Sequence, residues 1–181
     1  MARPSSREAI LDAAEEVVIE LGGARLTLEA VAERAGISKG GVLYNFPSKD
    51  ALVVGMAERL MGQYREQRTQ VMERVGGSDR AAVLRAHIEV FVSCDRRCEK
   101  VGAGLLAAVA NQPDLMARVR DIYRGVWEDA VGSGESFSPE AALVFLATEG
   151  LNFLQMMNMS PLDDASRGRV IEAMRDIARG Q

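Results

Sequence analysis

The chain has 181 residues, with 22 lysines and arginines against 26 aspartates and glutamates, a formal net charge of −4. That balance excludes a polybasic nucleic-acid coat, so any DNA affinity has to come from a local patch and not from the global field. Two cysteines, no secretory signal and no long uninterrupted apolar run point to a soluble cytoplasmic protein of one substantial core or two coupled smaller ones.

In chain order, Met1 to Pro4 reads as an arm carrying Arg3, and Ser5-Ser6-Arg7-Glu8 as a capping box opening a helix. Ile10, Ala13, Ala14, Val17, Val18 and Leu21 share one stripe of that helix, and Gly22-Gly23 ends it. The helix reads as scaffold, while Arg3 and Arg7 are basic groups that either reach nucleic-acid phosphate or the minor groove, or stay solvated.

The next stretch, Thr27 to Leu52, is the most informative: TLEAVAERAGISKGGVLYNFPSKDAL. Thr27 is a helix cap, followed by Leu28, Val31, Ala32 and Ala35 at helical spacing. Gly36 supplies a left-handed C-terminal residue without a Cβ penalty, and Ile37 plugs the turn. Ser38 caps a second, short helix from Lys39 to Asn45, which Pro47 stops; Ser48 caps a long helix from Lys49. Helix, glycine turn and short helix match a helix-turn-helix, although a plain helical hairpin with a glycine corner fits the same pattern. Between Glu33 and Asp50 there is no acid, whereas Arg34, Lys39 and Lys49 are basic. Gly40 and Gly41 cost about 0.8–1.0 kcal/mol each against alanine in a helix, a cost a bare face would justify by letting a ligand approach the backbone. Leu43 and Phe46 are expected to pack the hairpin.

The long helix runs to about Arg74, with Leu52, Val53, Met56, Leu60, Tyr64 and Met72 on its buried side. Beyond it the pattern stays helical: Ser78 to about Cys94, Lys100 to Asn111, Pro113 to Val131, Pro139 to Asn158 and Asp163 to Arg179. No segment alternates with strand period. The Pro139–Asn158 helix is apolar nearly all round, but Glu149, Asn152 and Gln155 argue against a membrane span and for burial on two sides within protein. The last helix carries Val170, Ile171, Met174, Ile177 and Ala178 on one face.

Three constellations resemble chemistry without supplying it. Gly102-Ala103-Gly104-Leu105-Leu106-Ala107 has dinucleotide-fingerprint spacing, but the charged residues before it cannot form the buried strand that motif needs, so tight helix packing is the better account. His87, Cys94 and Cys98 would share a face of one continuous helix and hold a metal or a thiol switch; no fourth ligand is evident, and Asp95-Arg96-Arg97 is expected to break that helix. Buried small apolar cysteines are the default. A lone histidine and no serine in a strand–turn–helix context leave acyl transfer without parts, so no enzyme, cofactor or metal is expected.

SKGGVLYNFPSKDAL resembles the signature of the TetR family of transcriptional regulators, through Ser38, Gly40, Leu43, Tyr44, Phe46, Lys49 and Leu52, with Ala32, Ala35 and Gly36 upstream. It departs at Asn45, where histidine is commoner, and at Gly41, where a small hydroxyl residue is frequent. The resemblance covers about a quarter of the chain. It implies an all-α protein: a three-helix DNA-binding domain over residues 1–48 and a six-helix ligand-binding and dimerisation domain over 49–181. It further implies a homodimeric regulator, a repressor on a palindromic DNA operator, released by a small-molecule effector. Lys39, Gly40, Gly41 and Asn45 would then meet bases, and Thr27, Ser38, Tyr44 and Lys49 phosphates, with Arg3 on the arm. His87, Phe91, Tyr123, Trp127, Asn152, Phe153, Met156 and Met157 would line the effector site, a surface suited to a largely apolar ligand, and Glu149 could counter a cationic one. The last two helices would pair across the two-fold axis. A regulator gated through Cys94 and Cys98 by redox or metal is the alternative.

Overall fold

Side-chain caps mark most of the helix starts in the computed structural model, which describes residues 6–110 and 112–180, apart from the side chain of Val75. The described residues are all-α, in nine helices: α1 Ser6–Leu21, α2 Leu28–Ala35, α3 Lys39–Asn45, α4 Lys49–Val75, α5 Arg80–Ser93, α6 Arg96–Val109, α7 Pro113–Val131, α8 Pro139–Met156 and α9 Asp164–Arg179. Arg3 and the Ser5 cap lie outside the described residues. Thr27 Oγ1 accepts from the Ala30 N–H, Ser48 Oγ from Ala51 and Ser138 Oγ from Ala141, each satisfying one orphan donor of a helix start.

Three boundaries differ from expectation. Asp79, not Ser78, caps α5, because its carboxylate accepts from the Ala82 N–H at 2.7 Å. The break between α5 and α6 falls at Cys94, which is extended (φ −63°, ψ 123°), and Asp95, close to where it was expected. However, α6 begins at Arg96 instead of Lys100, so Arg96 and Arg97 open that helix. In addition, α8 ends at Met156 with Asn158 left-handed beyond it (φ 53°), a conformation asparagine tolerates better than most residues.

The chain forms two compact units, Met1–Leu60 with Arg96–Asp121, and Met61–Asp95 with Ile122–Gln181. Residues of α4 therefore belong to both, as do those of α7.

In the first unit, Ile10, Leu11, Ala14 and Val17 of α1 are buried together with Val31, Val42, Leu52, Val53 and Met56. The α6 helix joins this core by close backbone approach: a Cβ on Gly23 would fall 2.0 Å from the Gly104 carbonyl oxygen, and one on Gly104 would fall 2.0 Å from Val18 Cγ1. Gly104 lies inside a continuous helix, so the glycine-rich run is a packing device and not a phosphate turn. Glu15 is nearly buried between two guanidiniums, accepting from Arg59 Nε and from an Arg97 terminal nitrogen at 3.0 Å each. A buried carboxylate is tolerable only with such charged donors around it.

In the second unit, Leu84, Ile88, Val126, Ala130, Val131, Val144, Phe145, Ile171, Met174 and Ala178 form one cluster. Arg175 of α9 grips Glu89 of α5 with two parallel bonds of 2.6 and 2.8 Å, the fork geometry that gives ion pairs their direction.

Gly104→Ala should lower stability by about 1–3 kcal/mol in chemical denaturation, because backbone and Val18 would have to move apart. Gly62→Ala, on α4 with open space around it, should instead raise it by up to about 1 kcal/mol. Equal midpoints for the two variants would contradict the close-approach account.

Candidate functional site

The first unit presents α2 and α3 as a hairpin whose turn is fixed by its backbone. Gly36 is left-handed (φ 67°), and the Ile37 N–H returns to the Ala32 carbonyl at 3.0 Å, closing the last turn of α2. Ser38 Oγ accepts from the Gly41 N–H at 3.1 Å and starts α3. Val42 and Phe46 point inward and are buried, which leaves Lys39, Gly40, Leu43 and Tyr44 together on the outer side. Leu43 departs from the expectation that it packs the hairpin: it is 38% exposed, because Val42 holds the inward position of this helix.

Tyr44 is 91% exposed. A methyl on Gly40 would meet only Ser38 Oγ at 3.8 Å, and one on Gly41 would make ordinary contacts of 3.5 Å or more. Neither glycine has a positive φ. Nothing in the chain's own packing therefore requires glycine at either position.

The basic residues divide. Arg34 faces α1, donating to Glu20 at 2.9 Å and Glu16 at 3.2 Å, so its charge is used within the unit. Lys39 Nζ pairs with Glu29 at 2.5 Å on the surface. That ammonium, as donor, holds the Glu29 carboxyl below its usual range. Lys49, at the first position of α4, makes no ion pair among the described residues. The Asn45 amide folds back onto the Gly41 carbonyl at 3.0 Å.

The second unit holds a polar group inside its aromatic core. His87, 2% exposed, stacks on Phe145 with ring centres 4.3 Å apart. Its Nδ1 lies 2.6 Å from the Tyr64 hydroxyl, and its Nε2 lies 3.2 Å from Glu149 Oε1. Tyr123 and Trp127 meet Phe145 edge-on, at 6.1 and 5.2 Å. The Tyr123 hydroxyl stands close enough to the Glu149 carboxylate to feel its charge. Burial first, and the Glu149 carboxylate after it, hold the Tyr123 phenol far above its usual range. Burial raises the Tyr64 phenol as well, against the opposing pull of Arg68, so both remain hydrogen-bond donors.

Of the expected lining residues, His87, Tyr123 and Trp127 thus come together. Phe91 is buried with the Arg167 guanidinium 5.3 Å over its ring. Asn152 and Met156 are half-buried, and Phe153 and Met157 are exposed. Tyr64 and Phe145 join the cluster without having been expected there. Phe145 carried a signal, since it stands one helical turn before Glu149 on the same face; Tyr64 was legible only as a buried-side residue of α4. On α8 and α9, Leu143 (68% exposed), Leu146 (57%) and Ile177 are large apolar residues at the surface.

Cys94 is half-buried at the end of α5 and Cys98 is exposed in α6, with the helix break between them. The single continuous face imagined for His87, Cys94 and Cys98 is therefore absent. Among the described residues no group of three or more histidine, cysteine or acidic side chains could hold a metal ion, and no helix is long and apolar enough to cross a membrane.

Comparison with known proteins agrees with this architecture. Residues 10–56 match the family model for bacterial regulatory proteins of the tetR family, and residues 81–179 match the tetracyclin repressor-like C-terminal domain. The regulator RutR of Escherichia coli (strain K12) is 39% identical over 57 residues, 32% of this chain and 27% of that protein. The chain thus matches about a quarter of the length of the first curated relatives. The repressor BepR of Brucella suis biovar 1 is 27% identical over 166 residues, covering 80% of this chain and 77% of its own. Among solved structures, the multidrug binding protein EbrR complexed with imidazole superposes with a TM-score of 0.69 at 20% identity, over 98% of this chain and 95% of that one. A TetR-family member from Streptomyces coelicolor A3 gives 0.68 at 19%, over 98% of each chain. At such identities these two likenesses speak for the fold alone. With both family models matched, the C-terminal one over more than half of the chain's length, the chain belongs to the TetR family of transcriptional regulators, whose members are not enzymes.

Proposed function

We propose that this protein is a ligand-responsive repressor that binds a palindromic DNA operator as a homodimer and is released by a small, largely apolar effector. In this reading residues 1–48 carry DNA recognition, residues 49–181 carry effector binding and dimerisation, and the protein works in the cytoplasm. The observation that carries it is the outer side of α3, where two glycines stand without any need from the protein's own packing, beside a tyrosine that is almost wholly exposed. A bare backbone there lets α3 sit deep in a major groove.

Lys39, Gly40, Gly41 and Asn45 take the base-facing roles, and Thr27, Ser38, Tyr44 and Lys49 the phosphates. The Thr27 and Ser38 hydroxyl oxygens already accept from the backbone, which leaves each O–H free to donate to phosphate. Lys39 and Asn45 must exchange Glu29 and the Gly41 carbonyl for DNA, so their net contributions are smaller than their charge or amide suggests. Arg3 would add a contact from the N-terminal arm.

Exposed Leu143, Leu146 and Ile177 support pairing of α8 and α9 with a second copy, since surface residues of that size gain by mutual burial. The effector side rests on His87, Tyr123, Trp127 and Glu149. Phe91, already buried, contributes apolar wall; Phe153 and Met156 would add to it, and Asn152 a polar edge, if the pairing of α8 covers them. An effector that prefers the DNA-incompetent geometry weakens operator binding by its differential affinity and no more.

Selection from random duplex DNA tests the reading, with a two-fold symmetric consensus expected; enrichment of no sequence would overturn it. On the selected operator, Lys49→Ala should weaken binding to all sequences and reduce the salt slope by about one. An unchanged slope would remove Lys49 from the phosphate contacts. Gly40→Ala should leave the fold as stable or up to about 1 kcal/mol more so, yet weaken operator binding. If it strengthens binding in step with stability, the close-approach role of Gly40 is wrong.

A further inference from the structure

Among the described residues of the second unit two buried side-chain donors lack an aligned partner, Arg68 Nη1 and His87 Nε2. Arg68 is paired with Asp129 through its other terminal nitrogen, whereas the His87 Nε2 has a carboxylate beside it and no bond to it. Glu149 Oε1 is only 3.2 Å from that imidazole nitrogen, off the line of the N–H. The Tyr64 phenol, kept protonated by burial, has Nδ1 at 2.6 Å as its acceptor. An imidazole that accepts at Nδ1 carries its proton on Nε2. The site therefore sets a buried donor without an acceptor next to a carboxylate oxygen. Glu149 retains acceptor capacity even with the Tyr123 hydroxyl near it, because a carboxylate offers about four lone-pair sites. Its side chain is 31% exposed against 3% for His87, so the carboxylate is the solvent-facing half of the pair. Arg68, the nearby guanidinium, is engaged by Asp129 at 2.6 Å.

We propose that His87 Nε2–H and Glu149 Oε1 together anchor an effector carrying a hydrogen-bond acceptor and an N–H donor side by side, a primary carboxamide or lactam edge, on an apolar body held against Trp127 and Tyr123. This rests on the effector-gated reading above and names the chemical class that reading leaves open. The two protein atoms stand 3.2 Å apart, a spacing that two roughly parallel bonds to one amide edge can bridge. A cationic head group would satisfy Glu149 and leave the His87 donor buried and unpaired. A carboxylate would satisfy His87 and oppose Glu149. Of these three head groups the mixed edge alone satisfies both with two separate atoms, and leaving a buried polar atom unpaired is the costlier outcome.

The single tryptophan, Trp127, lies in this cluster, so its fluorescence reads binding directly. The full-length protein is titrated with para-butylbenzamide, its N,N-dimethyl amide, para-butylbenzamidine and para-butylbenzoate. The primary amide should bind at least about tenfold tighter than each of the others. Glu149→Leu should erase that preference, whereas Glu149→Gln, which keeps an acceptor oxygen, should retain most of it. His87→Phe should also erase it, with helical circular dichroism checking the fold. Equal binding of the dimethyl amide, tighter binding of the benzamidine or benzoate, persistence of the preference in Glu149→Leu, or no binding by any of the four would each overturn the assignment. Operator selection with the same preparation separates the two claims. Selective DNA binding without amide preference overturns the anchor and leaves the regulator, while amide preference without DNA selectivity does the reverse.

Discussion

Everything proposed for the DNA-facing unit depends on how α3 is anchored. Two side chains, Val42 and Phe46, fix one side of a seven-residue helix in the core and so determine which residues face outward. A helix this short has no stability of its own and is held by its packing. Phe46 is itself seated with care. A Cβ on Gly55 of α4 would stand 2.6 Å from its ring, and Arg7 covers the ring with its guanidinium carbon 5.2 Å from the centre. The orientation of α3 is therefore a property of the whole first unit. The same anchoring lets the outer side do without helix-forming side chains, since Gly40 and Gly41 are carried by neighbours that pack well.

The second unit answers a different problem, that of a polar group in an apolar interior. His87, Tyr64, Tyr123 and Glu149 come from α5, α4, α7 and α8 and bring their polar groups together, with Nε2 of the imidazole left without an aligned partner. A fully satisfied network would be a scaffold feature. The imidazole donor left without an aligned acceptor, beside a part-exposed carboxylate, is the feature on which the proposed effector anchor rests.

How much was legible in the sequence depends on the range of the interactions. Caps are local, so Thr27, Ser38 and Ser138 were readable from residue type and from their spacing to the helix-forming residues just after them. The Gly36 turn was readable for the same reason. The end of α5 near Cys94 was legible, but α6 starts at Arg96 and not at Lys100, because arginines such as Arg96 and Arg97 are good helix formers and their charge does not keep them out of a helix. The pairing of Gly104 with Gly23 joins distant segments of the chain, and only the close packing implied by small residues hinted at it. Likewise His87 and Glu149 were each singled out, but their adjacency, and the stacking of His87 on Phe145, depend on separate helices meeting. Engagement of Lys39 by Glu29 and of Arg34 by Glu16 and Glu20 shows why a count of basic residues overstates the charge available to a ligand.

The central claim is that α3, doubled by symmetry, reads successive major grooves. Its most direct measurement is chemical footprinting of a selected operator by the full-length protein, using a probe of guanine N7 in the major groove. The account predicts two protected major-groove half-sites related by a two-fold axis, their centres one helical turn or a multiple apart, at about 10 base pairs per turn. Protection confined to the minor groove, or a single half-site at saturating protein, would contradict it.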